Sequence, residues 1–226
     1  MFSVVIPLYN EADNINQLIT EIDTSLIKHN EYEIVLINDC SMDNTLEIIK
    51  KIKNKKIKIL NNSTNKGQSF SIHYGVKNSL YNIIITLDGD GQNDPADIPN
   101  LLKFFLDNPS FKLVGGIRAK RKDNFIKIIS SKIANKIRSK IFNDDCADTG
   151  CSLKVFDKKI FLSFPYFDGI HRFLPALFKG FGFQTKFLSV NHRKRKYGVS
   201  NYGTFKRLIK GIRDIFKVKK ILKEIN

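Results

Sequence analysis

Apolar residues in this chain come first as short unbroken runs and later as stripes. Phe2 to Pro7, Glu33-Ile34-Val35-Leu36-Ile37 and Asn82 to Leu87 have the length and density of buried strands, and Lys56 to Leu60 alternates as a further strand does. Between these runs the apolar spacing changes to three and four. It predicts a helix from about Asp13 carrying Ile15, Leu18, Ile19 and Ile22, a second from about Asp43 carrying Leu46, Ile48 and Ile49, and a third over Ser69 to Leu80. Strands alternating with helices of this length predict an α/β fold with a mainly parallel sheet covered on both faces. Ligands of such sheets gather at the carboxyl ends of the strands. The polar residues falling there are Tyr9, Asn10 and Glu11, then Asp39 and Asp43, then Asn65 and Lys66, then Asp88 and Asp90.

Beyond residue 115 the pattern changes. Gly116-Ile117-Arg118 ends a strand and opens a basic cluster of Arg118, Lys120, Arg121 and Lys122. Phe125, Ile129, Ile133, Ile137 and Ile141 mark a helix face interleaved with Lys127, Lys132, Lys136, Arg138 and Lys140. A second basic amphipathic stretch sets Phe205, Leu208, Ile212, Ile215 and Phe216 against Lys206, Arg207, Lys210, Arg213, Lys217 and Lys220. Such stripes pack on a sheet with their lysines in water, or lie in a membrane interface. The expected division is a domain over 1–203 and a basic amphipathic, membrane-associating tail over 204–226.

With 226 residues, 42% of them hydrophobic, the chain can bury a sizeable core in one domain plus a small appendage. Lys and Arg number 38 against 22 Asp and Glu, a formal charge of +16, which favours anionic partners. A general richness in Lys, Asn and Ile dilutes that argument. A nucleic-acid-binding module is the reading charge alone would suggest. Against it, no recognised binding motif is present and the basic residues lie on two amphipathic stretches, so no nucleic-acid partner is expected. Cys40, Cys146 and Cys151 are odd in number and form no CxxC pair, which fits a reducing cytosol better than a disulfide framework. The chain opens directly on a strand-like run, and no apolar run approaches the roughly 20 residues that span a bilayer. The expected location is cytoplasmic, peripheral to the inner face of the cell membrane.

The chemistry concentrates in Ile84 to Pro95, where a buried run gives way to Asp88-Gly89-Asp90-Gly91. Side chains two apart on an extended chain share a face, so the two carboxylates can point together. Like charges this close repel unless a cation lies between them, and hard oxygen ligands suit Mg²⁺ or Mn²⁺. An ion held by so few carboxylates usually also holds substrate phosphates. Alone, the cluster reads equally as a polar turn.

The other strand ends shift that balance. Val5-Ile6-Pro7-Leu8-Tyr9-Asn10-Glu11, Ile37-Asn38-Asp39-Cys40-Ser41-Met42-Asp43, Asn65-Lys66-Gly67 and Asp88 to Pro95 occur in this order. Together with Asp148 to Lys154, His171 to Leu177 and Arg195 to Gly203, the set resembles family 2 glycosyltransferases of the GT-A fold. It is most similar to the branch of dolichol-phosphate mannose synthases and bacterial polyprenyl-phosphate glycosyltransferases. The resemblance implies a nucleotide-sugar donor, a polyprenyl phosphate acceptor, a Mg²⁺ or Mn²⁺ cofactor and an anionic membrane surface as partners; a homo-oligomer or membrane-protein partner stays open. It also implies site roles. Pro7, Tyr9, Glu11, Asp39, Lys66, Asp88, Gly89 and Arg195 would form the nucleotide-sugar pocket. Asp88, Asp90 and Gln92 would hold the metal. Arg118, Lys132, His171 and Arg172 would meet the acceptor phosphate, with Asp90, Arg118 and Arg195 as the catalytic groups.

Departures accompany the resemblance. The family's Asp-Asp-Gly-Ser is here Asn38-Asp39-Cys40-Ser41, and its Gly-x-Ser-Lys is Gly198-Val199-Ser200-Asn201, which removes one phosphate-binding cation. Lys194 or Lys196 would replace it, or donor affinity would be weaker. Transfer to a hydroxyl needs a general base, for which Asp148 is the nearest candidate; a phosphate acceptor does not. A single displacement with inversion onto a polyprenyl phosphate is therefore expected, with transfer to a polysaccharide or lipopolysaccharide hydroxyl as the runner-up. Other residues have ordinary readings. Asp43 reads as a helix cap, His192 and Arg193 as ordering groups for a loop, and Cys40 and Cys151 as small packing residues. His171 and Arg172 read equally as a helix start fixed beside Asp168 and Gly169. Phe161, Phe164, Phe167, Phe173 and Phe178 read as core before prenyl groove.

Overall fold

The structure, a computed structural model, describes residues 1–119, 135–197 and 204–224, and for 204–210 the backbone alone. Outside this description lie Lys120, Arg121, Lys122, Phe125, Lys127, Ile129, Lys132 and Ile133, the motif from Gly198 to Gly203, and the side chains of Phe205, Lys206, Arg207, Leu208 and Lys210.

Among the described residues, strands β1 (Phe2–Leu8), β2 (Tyr32–Asn38), β3 (Ile57–Asn61), β4 (Ile83–Thr86), β5 (Phe111–Arg118), β6 (Lys154–Asp157) and β7 (Gln184–Val190) form one sheet in the order β3-β2-β1-β4-β6-β5-β7. The pairings are parallel except those of β6, which runs against β4 and β5. The helices are α1 (Ala12–Ser25), α2 (Thr45–Lys51), α3 (Gln68–Asn78), α4 (Ile98–Asp107), α5 (residues 135–142), α6 (Lys158–Ser163), α7 (Leu174–Gly180) and α8 (Thr204–Lys223). The mainly parallel sheet with helices on both faces is thus present. Strands β6 and β7 and helices α4, α6 and α7 are additions that the sequence patterns did not reveal.

Alternation along the strands builds two cores. Val4, Ile6, Ile34, Leu36, Ile85 and Val155 face a cluster with Ile15, Leu18 and Ile22 of α1 and Leu101 and Leu102 of α4. Val5, Val35, Ile37, Ile84 and Phe156 face the other side, against Ile72 and Val76 of α3 and Phe161, Leu177 and Phe178. Phe164, Phe167 and Phe173 belong to this second core, so the five phenylalanines pack the interior. Val218 of α8 is fully buried in the same core, with Ile215, Ile221 and Leu222 against it.

The sheet opens where strand order reverses. The β1–β4 ladder ends at the Val5–Thr86 pair, while β1 and β2 stay in register to Leu8 and Asn38. Pro7, which has no N–H to give a ladder, sits beyond the last β4 partner, where the lost donor costs little. This divergence of β1 from β4 is the topological switch point at which doubly wound sheets bind ligands.

The two basic amphipathic stretches are partly turned inside out. In α5, Arg138 is 4% exposed, paired with Asp144 and donating to the Cys146 carbonyl, while Ile137 and Ile141 face water. In α8, Asp214 is buried and Ile212 and Phe216 are exposed. Buried charges with partners at hand therefore displace apolar residues from the predicted stripes.

Candidate active site

The loops after β1, β2 and β4 meet at the switch point. Asn10 and Cys40 both adopt left-handed backbone (φ 56° and 58°) as β1 and β2 release the chain. The two loops are tied together: Asn10 N donates to Ser41 Oγ (3.1 Å), Met42 N to Asn10 Oδ1 (2.8 Å) and Glu11 N to Thr45 Oγ1 (2.9 Å). Asp43 accepts from Thr45 N at 3.0 Å and from Ala12 N at 3.2 Å, so it caps two helix starts at once. Cys40 stands half-buried in a strained turn and is not a core residue; Cys151 is fully buried.

Asp39 is 3% exposed and already carries three donors. Its oxygens accept from Asn62 Nδ2 (2.7 Å), Lys66 N (2.9 Å) and Gly67 N (2.8 Å), so it shapes the loop that delivers α3. A carboxylate offers about four acceptor positions, which leaves it one for a ligand. The Lys66 side chain is exposed on that loop; Pro7, in β1, and Tyr9, just after it, are half-buried.

β4 ends at Thr86, and the chain turns at Gly89–Asp90 rather than running extended through both carboxylates. Gly89 is required by proximity: a Cβ there would lie 2.4 Å from Leu8 Cδ2 and 3.3 Å from the Pro7 carbonyl. Asp88 Oδ1 accepts from Gln68 Nε2 at 2.7 Å, from the first residue of α3. Burial and the neighbouring Asp90 raise the Asp88 pKa, while Ser152, Lys154 and Arg118 pull it down. Asp90 Oδ1 accepts from Gln92 N at 3.0 Å, and the Gln92 side chain donates to the Arg193 carbonyl at 3.4 Å.

One cation crosses the mouth of this cluster. Arg195 Nη2 lies 3.0 Å from Asp90 Oδ2 and 3.1 Å from Glu11 Oε1. Its segment is pinned by Arg193, which bonds Glu21 and Asp94 at 2.6 Å each, and by Asn191 N on Asp97 at 2.7 Å. Glu11 also accepts from Asn14 Nδ2 at 2.7 Å, yet desolvation dominates and lifts its pKa from 4.5 to about 7. A carboxyl whose folded pKa is raised holds its proton more tightly in the native state. Stability is therefore full below the unfolded value and falls as pH rises from 4.5 towards about 7. Urea unfolding should show a loss on the order of 2 kcal/mol between pH 5 and pH 8, at about 1.4 kcal/mol per pKa unit. Glu11→Gln should flatten that slope; an unchanged slope would assign it to another group.

A second polar cluster borders the first. Arg118, at the end of β5, grips Asp148 in two-pronged fashion, Nε to Oδ2 at 2.6 Å and Nη2 to Oδ1 at 2.7 Å. Both side chains are nearly buried, and a Cβ on Gly150 would lie 2.9 Å from Arg118 Nη2. Lys154, 3% exposed, holds the same turn by donating to the Thr149 carbonyl at 3.4 Å and to that of Cys151. His171 and Arg172 lie elsewhere, behind α3: His171 Nδ1 is 2.7 Å from Ser69 Oγ, and Arg172 Nη2 is 2.7 Å from Asp214. Here the reading as a fixed turn describes the contacts. Gln68, Asn14 and Lys154 are site neighbours to which sequence reasoning gave no role; Gln68, just after Asn65-Lys66-Gly67, and Lys154, at the end of the motif from Asp148, carried a positional hint.

The carboxylates fit one kind of metal. Among the described residues no group of three or more His, Cys, Asp or Glu could hold an ion by itself. Asp88 and Asp90 offer hard oxygens beside an open switch point, which suits an ion that takes one or two carboxylates and completes its shell with phosphate oxygens.

Residues 3–163 match the model of glycosyl transferase family 2. Dodecaprenyl-phosphate galacturonate synthase of Rhizobium johnstonii is 31% identical over 223 residues, 96% of this chain and 65% of the relative. Undecaprenyl-phosphate 4-deoxy-4-formamido-L-arabinose transferase of Edwardsiella ictaluri is 31% identical over 209 residues, 90% of this chain and 63% of the relative. The chain thus spans slightly less than two thirds of the length of these relatives. Among solved structures, mannosyl-3-phosphoglycerate synthase from Rubrobacter xylanophilus superposes with a TM-score of 0.75 at 13% identity, covering 99% of this chain and 74% of the other. Glucosyl-3-phosphoglycerate synthase from Mycobacterium tuberculosis, crystallised with Mn²⁺, UDP and glucosyl-3-phosphoglycerate, gives 0.71 at 16% identity, covering 100% and 81%. At these identities the likeness concerns the fold, which is GT-A.

Proposed function

The chain belongs to glycosyl transferase family 2, and from that premise we propose that it moves a sugar from a nucleotide-sugar to a polyprenyl phosphate, with inversion, at a membrane surface. The observation that carries the reading is the cluster of Asp88, Asp90, Glu11 and Arg195 at the switch point. It pairs carboxylates suited to a divalent ion with a guanidinium suited to a diphosphate. Mg²⁺ or Mn²⁺ would be held by Asp88 and Asp90, and Gln92 would join through its amide oxygen, since the bond to the Arg193 carbonyl uses the amide nitrogen. When bound, such an ion neutralises the leaving nucleoside diphosphate. Arg195 would turn from Asp90 and Glu11 to the donor phosphates.

The acceptor is argued from Asp148. Its bidentate grip on Arg118 leaves it poorly placed to take a proton from a hydroxyl. A phosphomonoester needs no such base, because its second pKa is about 6. One of its oxygens attacks the anomeric carbon as the bond from that carbon to the nucleoside diphosphate breaks, and the electron pair leaves with the diphosphate. Both matched relatives are named for prenyl phosphates. The Arg118–Asp148 pair would open or accept the phosphate at its edge. Lys132, the further acceptor residue the resemblance implies, lies outside the described residues.

The membrane surface is argued from α5 and α8. No described helix is long and apolar enough to cross a bilayer. Ile137, Ile141, Ile212 and Phe216 are nonetheless exposed among lysines and arginines, a composition suited to an anionic interface. One assay tests the whole reading. Undecaprenyl phosphate in vesicles is mixed with a panel of nucleotide sugars and Mg²⁺ or Mn²⁺. Nucleoside diphosphate release should require the lipid, run faster on anionic than on neutral vesicles, and give a product of inverted anomeric configuration by NMR. Release without lipid would move the acceptor to a hydroxyl, and retained configuration would end the single-displacement mechanism.

A further inference from the structure

We propose that Asp214 is a positioning residue of the donor site, holding Gln68 against Asp88 through a polar chain that crosses the second core. The inference rests on the donor reading above for its functional meaning, but its physical content does not. Helix α8 is strongly basic, and Asp214 is its single acidic residue. It occupies the core-facing side, 1% exposed, on the same face as Val218, Ile215 and Leu222. A carboxylate in that position is costly unless a cation meets it there, so its partner selects one docking pose of the helix.

Arg172 meets it from outside the helix, its Nη2 2.7 Å from Asp214 Oδ2, while Lys217 of α8 itself stands 3.9 Å from Oδ1. The turn carrying Arg172 is moulded around the carboxylate. Gly169 opens it with φ 115°, and a Cβ there would stand 2.4 Å from Asp214 Oδ2. Two groups of the same turn then converge on one buried hydroxyl: Gly169 N donates to Ser69 Oγ at 2.7 Å, and His171 Nδ1 lies 2.7 Å from it. Ser69 is the second residue of α3, and Gln68, the first, donates to Asp88 Oδ1 at 2.7 Å. The start of α3 is therefore located by α8 from behind and presents Gln68 to Asp88 in front. On this account His171 and Arg172 serve the donor side through α3, and the C-terminal helix is a working part of the site.

Contiguity alone does not establish coupling, so the test measures it on the full chain. In Asp214→Asn, exchange of the first hydrogen-bonded amides of α3, residues 71–74, should accelerate roughly tenfold relative to wild type, well below the melting temperature. Val218→Ala removes packing from the same face of α8 but leaves the polar chain intact, and should change those amides by less than about twofold. Ser69→Ala cuts the chain without exposing a buried charge and should reproduce the Asp214→Asn effect if that variant folds poorly. Equal acceleration in Asp214→Asn and Val218→Ala, or none in Asp214→Asn and Ser69→Ala, overturns the proposal. Titration with Mn²⁺ and UDP then reads the functional side. Asp214→Asn should weaken binding about tenfold, with no further loss in a Gln68→Ala background, and additive losses overturn the coupling. A wild-type chain that binds no Mn²⁺ with UDP counts against that donor, while the exchange contrast still decides the polar chain.

Discussion

Asp90→Ala is expected to lower lipid-dependent nucleoside diphosphate release at least about 1,000-fold, the scale on which preorganised charge at a reacting centre acts. Asp90 is where the two halves of the donor cluster meet. Its Oδ1 takes the Gln92 amide and its Oδ2 takes Arg195. On the proposed assignment the alanine variant loses a metal oxygen, and it also releases Arg195 to Glu11 alone, 3.1 Å away. Asp90→Asn keeps the shape and one acceptor, and should recover little activity, because a neutral amide balances neither a cation nor a guanidinium. The protein should remain folded, since Asp90 sits on a half-buried turn outside the sheet. Activity within about tenfold of wild type would move the metal, and with it the donor diphosphate, away from this turn.

The largest expected effect on stability lies at Asp148. Asp148→Ala removes the carboxylate that Arg118 grips through two bonds, in a place where the guanidinium side chain is 12% exposed. Breaking a buried pair from one side costs about 3–5 kcal/mol, mainly because a charge stays behind without its counter-charge. A urea midpoint measured with an unchanged m-value reads this directly. Arg118→Met combined with Asp148→Leu should recover most of the loss while leaving the chain without acceptor-dependent activity. If the double variant is no more stable than Asp148→Ala, the turn at 148–152 depends on something other than this pair, with Lys154 the first group to test.

The first 95 residues were readable because their signals are local. β1, β2 and β4 are continuous apolar runs buried on both faces, and the polar residues that follow each run fall on one end of a parallel sheet. Later elements carried weaker signals for identifiable reasons. β6 is four residues long and derives its identity from pairing with β4 and β5. β7 is the edge strand next to β5, so Gln184, Lys186 and Ser189 stand among its apolar positions. The stripe in α5 misled because Arg138 finds Asp144 across a turn with left-handed Asn143 and Asp145 (φ 48° and 53°), a closure that no periodicity encodes. Site roles divided the same way. Asp88 and Asp90 were visible as a motif, but the three donors on Asp39 come from residues 62–67, and the Asp214 partner of Arg172 comes from 42 residues further on.

β6 runs opposite to its neighbours, with Lys154 at its start level with Thr86 at the end of β4. The turn over 148–152 therefore arrives at the same rim as the loops after β1 and β4, although it precedes its strand and they follow theirs. On the proposed assignment, sugar choice is written mainly in the first 95 residues and lipid choice mainly after Arg118, and the two meet only in space. A duplicated gene could then diversify one selectivity while purifying selection held the other. Chimaeras joined near residue 110, between α4 and β5, would test that division provided both parents carry the pairs that cross the join, Arg195 with Asp90 and Glu11 and Arg193 with Glu21 and Asp94.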